Sequence, residues 1–340
     1  MNKTLLIAPS WVGDAVMSQP LLARMVTQGS GPIDVLAPSW VLPVYRRMTE
    51  VGETIASPFA HGELSLKARW RLARELAGHD YQRAVVLPNS LKSALVPFMA
   101  CIPERIGFTG EARIGLINRR HTLDKAALPL MVERFAMLAE SPGTLGRALP
   151  RPIAHPVLQS TTAQQEATLQ AIGLARPAKL AVLCPGAEFG PAKRWPTPNF
   201  AELARTLAAR GFAVWALGSP KDKEFGEAIA NESGGTCINL CGSTHLEQAI
   251  DLMAMADVAI TNDSGLMHVA ASVGRPLVAL FGSSSPGFTP PLSHQAHIVS
   301  LQLDCSPCFK RTCPLGHLNC LNQLDPQRVA LAVETAIAAH

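Results

Sequence analysis

Eight short, almost wholly apolar runs punctuate the chain: TLLIA at 4–8, IDVLA at 33–37, RAVVLP at 83–88, KLAVLC at 179–184, AVWALG at 213–218, CINL at 237–240, VAITND at 258–263 and LVALFG at 277–282. Each has the length of a strand and lacks apolar–polar alternation, the pattern of strands buried on both faces of a parallel sheet. The stretches between them carry helical periodicity, which predicts helices near 14–28, 40–48 and 90–100, and again near 197–210, 221–230, 245–256 and 264–273. Strand and helix alternating in this way predict βαβ units. The alternation lapses at 141–156, which is rich in Pro and Gly and reads as a linker. The fold class expected is therefore α/β, with two doubly wound domains over 1–155 and 156–340 facing a cleft at the carboxyl ends of their strands. A length of 340 residues suits two such domains.

No apolar run approaches the ~20 residues that span a bilayer. The chain passes from Met1-Asn2-Lys3 straight into a strand, without the pattern of a signal peptide, so a soluble cytoplasmic protein is expected. The formal charge of +4 is modest but uneven: between Lys67 and Lys125 stand eleven Lys or Arg against five Asp or Glu. That asymmetry suggests an acidic partner for the first domain, whether nucleic acid, an anionic membrane surface or a phosphorylated substrate; a solvated helix face is the plain alternative. Aromatic residues are too sparse there for a base-stacking platform, which argues against single-stranded nucleic acid.

Three junctions hold candidate chemistry. In APSWVGDAVMSQP (8–20) a strand gives way to a helix beside Gly13 and Asp14, and the Asp14 carboxylate is either a helix cap or a base. CPGAEFGPAKRWP (184–196) leaves a strand with Gly186 and the cations Lys193 and Arg194, a composition that suits a phosphate and also an ordinary βα loop with Trp195 as a core plug. In TNDSGLMHVA (261–270), Asp263, Ser264 and Gly265 open a helix whose free N–H groups favour a diphosphate, with His268 on the same face. A helix cap and a satisfied histidine remain the alternative there. FGSSSPGFTPP (281–291) adds three consecutive hydroxyls after the next strand. The spaced glycines of a dinucleotide fingerprint are missing after the first strand, which disfavours a nicotinamide enzyme. A diphosphate site in the second domain and a carboxylate in the first suit a transferase with a nucleotide-sugar donor.

The motifs PSWVGDAVMSQPL, LPNSLKSALVPF, LPLMVERFA, GPAKRWP and NDSGLMHVAA together resemble the ADP-heptose:lipopolysaccharide heptosyltransferases of glycosyltransferase family 9. The resemblance runs through about residue 300. It implies a GT-B fold of two Rossmann-like domains and inverting transfer from ADP-L-glycero-D-manno-heptose with no cofactor required for catalysis. It also implies a heptosylated Kdo-lipid A acceptor whose first heptose is attacked, contact with the inner face of the cytoplasmic membrane, and no nucleic-acid partner. By matching position, Asp14 is the general base and Lys193 holds the diphosphate. By the same resemblance Glu224, Asp263, Ser264, Gly265 and His268 bind the donor; Gly186 is expected at the donor as well, and Gly13, Asn89, Lys92, Arg119 and Arg120 are expected to meet the acceptor, Arg119 and Arg120 through the basic charge of their segment. The rivals are a family member with another acceptor, a nucleotide-sugar epimerase of the same fold, and a non-catalytic binding protein.

CSPCFKRTCPLGHLNC brings Cys305, Cys308, Cys313 and Cys320 into one segment with His317. Four thiolates at this spacing can close a tetrahedral zinc site, with disulfides, free thiols or an iron–sulfur cluster as the other readings. Cys101, Cys184, Cys237 and Cys241 lie in or beside apolar runs and read as core thiols.

Overall fold

The computed structural model describes residues 3–59, 63–143, 149 and 151–340, so part of the predicted linker, 144–148 and 150, lies outside the described residues. The chain divides into two compact units, the first ending at Pro156 and the second running Val157–His340. The first unit is built from β1 (Thr4–Ile7), α1 (Val12–Met17), α2 (Gln19–Thr27), β2 (Ile33–Ala37), α3 (Leu42–Tyr45), β3 (Val51–Ala56), α4 (Leu66–Ala77), β4 (Arg83–Val86), α5 (Leu91–Met99), β5 (Glu104–Phe108), β6 (Arg119–His121) and α6 (Met131–Ala136). Its parallel sheet has the order β3-β2-β1-β4-β5-β6.

The second unit contains α7 (Thr162–Ile172), β7 (Leu180–Cys184), α8 (Thr197–Ala209), β8 (Ala213–Ala216), α9 (Lys223–Glu232), β9 (Cys237–Asn239), α10 (Leu246–Met255), β10 (Val258–Asn262), α11 (Gly265–Ser272), β11 (Leu277–Leu280), β12 (Ala296–Val299), α12 (Asn319–Asn322) and α13 (Pro326–Ala338). Its order, β12-β11-β10-β7-β8-β9, repeats the winding of the first unit strand for strand. The direction of winding reverses between β1 and β4 in one sheet and between β7 and β10 in the other. At such a reversal the loops beyond the strand ends part and leave a crevice for ligands. Asp14 and Asn89 follow the two central strands of the first unit; Gly186, Lys193, Asp263 and Ser264 follow those of the second.

Every residue of β1, β2, β7, β10 and β11 is buried, as their unbroken apolar runs predict. In the first unit Leu5, Leu36, Ala84 and Val86 pack with Leu72 and Leu76 of α4 and Val96 of α5. In the second, Leu183, Ile260, Val278 and Leu280 pack with Phe200, Leu203 and Leu207 of α8. Helix ends follow local chemistry. Thr161 and Gln164 form a capping box that starts α7, and Gly173, at φ +69°, stops it in a left-handed conformation that glycine adopts without strain. Asp325 caps α13 by accepting the Gln327 N–H at 2.8 Å.

The single helix expected over 14–28 is two helices, because Pro20 has no N–H to continue the ladder and Ser18 Oγ donates to Ala15 O at 2.7 Å at the break. The helix expected over 40–48 is reduced to the single turn of α3. Elements α4, α6, α7, α12 and α13, and the short, more polar strands β3, β5, β6 and β12, go beyond the sequence expectations. Among the described residues, no helix is long and apolar enough to cross a membrane.

Candidate active site

In the second unit the loop after β7 closes on itself through one close approach. A Cβ on Gly186 would stand 2.5 Å from Asp222 Oδ2, so only glycine lets that carboxylate lie against the loop. Asp222 is buried and accepts the N–H and hydroxyl of Ser219 at 2.9 and 2.7 Å, and Arg194 lies 4.0 Å from its other oxygen. Sequence reading missed Asp222, although the Ser219/Asp222 capping pair in GSPKD was legible. Trp195 is a core residue: its indole N–H donates to Leu324 O at 2.9 Å, and its ring meets Phe200 edge to face at 4.8 Å. The aromatic in GPAKRWP thus anchors the loop. Its N–H donates to Asn262 Oδ1 at 3.1 Å, and Asn262 Nδ2 donates to Pro185 O at 2.7 Å, so the loop after β7 is stitched to the end of β10.

That stitching brings three predicted residues together. Lys193 Nζ reaches Asp263 Oδ2 at 2.5 Å, with both side chains largely removed from solvent. His268, buried on α11, feels both charges, and burial pushes its pKa down to about 4 while Asp263 raises it and Lys193 lowers it. The imidazole is therefore neutral near pH 7. Asp263 holds the ammonium in place, and Lys193 also lies 5.0 Å from the Phe189 ring centroid. Ser264 occupies the cap position of α11 without a side-chain cap bond, and Gly265 is the first helical residue. The carboxylate of Asp263 precedes the cap. Ser283 and Ser284, from the hydroxyl run after β11, are buried with no hydrogen-bond partner for either Oγ. Glu224 is exposed in the first turn of α9.

In the first unit Trp11 holds the cap position of α1, and Asp14 lies inside the first turn. The N-cap alternative for Asp14 is thereby corrected: the helix starts two residues earlier than the pattern suggested. Gly13 is buried beside Asp14. Below, Tyr45 and Ser18 share a 3.1 Å hydrogen bond, and the Tyr45 phenol is pushed up by burial and, to a smaller degree, by the charge of Asp14.

The basic segment is less of a patch than its sequence suggests, because several of its cations serve as internal ties. Buried Arg69 donates to Leu64 O, Lys92 O and Glu63 O. Arg105 donates to Leu116 O and Ile102 O, and Arg113 to Pro88 O, Asn89 Oδ1 and Phe108 O. Asn89 is thus engaged in holding the 110–113 turn. Arg119 meets Glu104 at 2.9 Å alongside Arg83, and Arg120, its strand neighbour, projects to the other face of β6; both are exposed. Exposed Lys67, Arg71 and Arg120 keep the acidic-partner reading alive.

The sequence pattern of glycosyltransferase family 9 (heptosyltransferase) matches residues 69–319. The chain belongs to this family. As a family 9 glycosyltransferase it is 47% identical over 334 residues, 96% of each chain, to lipopolysaccharide heptosyltransferase 2 of Salmonella typhimurium, and to the same degree and extent to that of Escherichia coli K12. The solved structure of E. coli ADP-heptose lps heptosyltransferase II superposes with a TM-score of 0.89 at 43% identity, covering 99% of both chains. A family 9 glycosyltransferase of Veillonella parvula shares the fold, with a TM-score of 0.85 at 20% identity over 100% of this chain and 99% of the other. The GT-B architecture expected from the sequence is borne out.

Among the described residues, no three His, Cys, Asp or Glu side chains stand as a group that could hold a metal ion. Cys305, Cys308, Cys313 and Cys320 nonetheless line one cavity of ≈ 30 Å³ together with His317, Ala192 and Ser283. Cys313 Sγ accepts the Leu318 N–H at 3.4 Å, and this bond, with further N–H groups of Leu315, Gly316 and His317, holds its thiol below the ordinary value.

Proposed function

We propose that this enzyme transfers L-glycero-D-manno-heptose from ADP-heptose to the first heptose of a lipid-linked lipopolysaccharide inner core, with inversion at the anomeric carbon. The observation that carries the reading is the Lys193–Asp263–His268 constellation at the winding reversal of the second unit, in a chain 47% identical to two heptosyltransferases 2. Leaving ADP develops negative charge on its diphosphate. The ammonium of Lys193, held by Asp263, and the free N–H groups at the start of α11 stabilise that charge. His268 stays neutral and donates a hydrogen bond rather than a second charge. Asp14 takes the proton of the attacking hydroxyl on the face opposite the leaving group, as inversion requires. Gly13 lets the acceptor approach, and Glu224 serves the donor ribose. The acceptor's lipid anchor keeps the enzyme at the inner membrane surface as a peripheral protein.

The test is mass spectrometry of a purified one-heptose acceptor incubated with ADP-heptose. The acceptor should gain one heptose; donor consumed without acceptor would instead indicate an epimerase, and donor bound without turnover a binding protein. Asp14→Asn should retain folding and ADP-heptose binding but lose roughly 10²–10⁴-fold in turnover, since the amide has no basic oxygen for the proton. A variant keeping more than about a tenth of normal turnover would remove Asp14 as the base.

A further inference from the structure

The segment 301–318 contains neither helix nor strand, an unusual length of irregular chain for the interior of a domain. It has little core of its own, and Cys305, Phe309, Pro314 and Leu315 are exposed. Even so it is clamped onto the loops that carry the donor-site residues. Arg311 O accepts the Ala192 N–H at 3.0 Å, and a Cβ on Gly190 would stand 2.5 Å from the same oxygen. The Arg311 guanidinium lies 5.3 Å from the Phe189 ring, the ring that Lys193 also approaches. Phe309 N–H donates to Ser283 O at 2.7 Å, and Ser306 Oγ donates to Gly282 O. Between this clamp and those loops lies the cavity lined by the four thiols. Non-glycine residues Gln302, Phe309 and Leu318 all hold left-handed backbone here, at φ +50°, +56° and +49°, a cost that persists only where something else fixes the loop.

We propose that Cys305, Cys308, Cys313 and Cys320 bind one thiophilic divalent metal ion as a tetrathiolate, and that this ion holds the clamp against the loop bearing Lys193. The backbone already brings the four thiols to one cavity. Closure to Zn–S distances of about 2.3 Å then requires side-chain rotation as the ion enters. Each thiol gives its proton to solvent and its sulfur lone pair to the metal, with no change of oxidation state. The neighbouring cations Lys310 and Arg311 offset the net charge of −2 on such a centre. The functional half of this proposal rests on the donor-site reading above; the metal half does not.

Protein purified under reducing conditions should carry about one zinc or iron per chain by elemental analysis. After acid stripping, Cd²⁺ should restore one equivalent with the ultraviolet charge-transfer band of thiolate ligation. Cys308→Ser and Cys313→Ser should lower the metal content, and the stripped wild type should bind ADP about ten-fold more weakly until metal is restored. Cys101→Ser, in the other unit, should change neither. A metal-free, fully reduced protein whose thiols take up no Cd²⁺ would overturn the proposal, as would an intact mass showing these cysteines paired as disulfides. Stoichiometric metal with unchanged ADP affinity would overturn the coupling to the donor loop, and because metal content is read without any transfer assay, that failure is distinct from failure of the heptosyltransferase reading.

Discussion

At the scale of single residues, the proposed donor site centres on a lysine whose position is set by a buried carboxylate. Removing Lys193 alone strands Asp263 without its cation, so Lys193→Ala should lower the unfolding midpoint as well as donor affinity. A charge-assisted contact with the diphosphate is worth ~1.5–3 kcal/mol, so ADP-heptose affinity should fall roughly 10- to 150-fold. The double variant Lys193→Ala/Asp263→Ala should recover stability and still bind donor weakly. Equal donor affinity in the two variants and the wild type, by titration calorimetry, would take Lys193 out of the site. His268 gives a pH dependence with a definite sign. Its folded pKa of about 4 lies below the ordinary 6.5, so the unfolded chain takes up the proton first and protonation favours unfolding. The contribution is complete above pH 6.5 and is lost as pH falls toward 4, by up to about 3 kcal/mol. Denaturant midpoints at pH 7.5 and pH 5 should differ less in His268→Gln than in the wild type.

At the scale of elements, the loop after β7 depends on one missing methyl group. Gly186→Ala would drive a Cβ into the Asp222 carboxylate, displacing the Ser219 bonds and costing about 1–3 kcal/mol. Denaturation of Gly186→Ala and of Gly186→Ala/Asp222→Ala should show the second change relieving part of the first; additive losses would mean that the contact is not the cause. The same loop shows what was legible beforehand. β7, β10 and β11 were readable because strands covered on both faces are continuous in apolar residues. Strand β6 was not, because at three residues, RRH, on a sheet edge it carries no apolar signal. The start of α11 was readable from Asp263-Ser264-Gly265, yet the partnership of Asp263 with Lys193 joins residues seventy positions apart and leaves no local trace. The role of Trp195 likewise depends on Leu324, far along the chain.

At the scale of the molecule, the excess of cations in the first unit overstated the surface available to an anionic acceptor, because Arg69, Arg83, Arg105, Arg113 and Arg119 are tied to carbonyls, carboxylates or an amide. Charge counting along a sequence has no means of seeing those ties. Lys67 and Arg71, exposed together on α4, carry the acidic-partner prediction alongside Arg120. Neutralising both should raise the acceptor KM at low salt and flatten its salt dependence, since exposed charges are screened over ~8–10 Å at ordinary ionic strength. Unchanged kinetics at low salt would leave them as a solvated face. The shared winding of the two sheets also bears on how the protein forms. Thr4 pairs with Arg83 and Ala181 with Val258, so the central seam of each sheet joins its most widely separated neighbours. Closing so long a loop costs chain entropy before any contact repays it, and such distant pairing is slow. The flanking βαβ neighbours, β1 with β2 and β7 with β8, lie closer in sequence and are free to assemble earlier. Helical signal in refolding should therefore return before ADP binding does, and the nascent enzyme spends its most aggregation-prone interval with both seams open and both ligand crevices unmade.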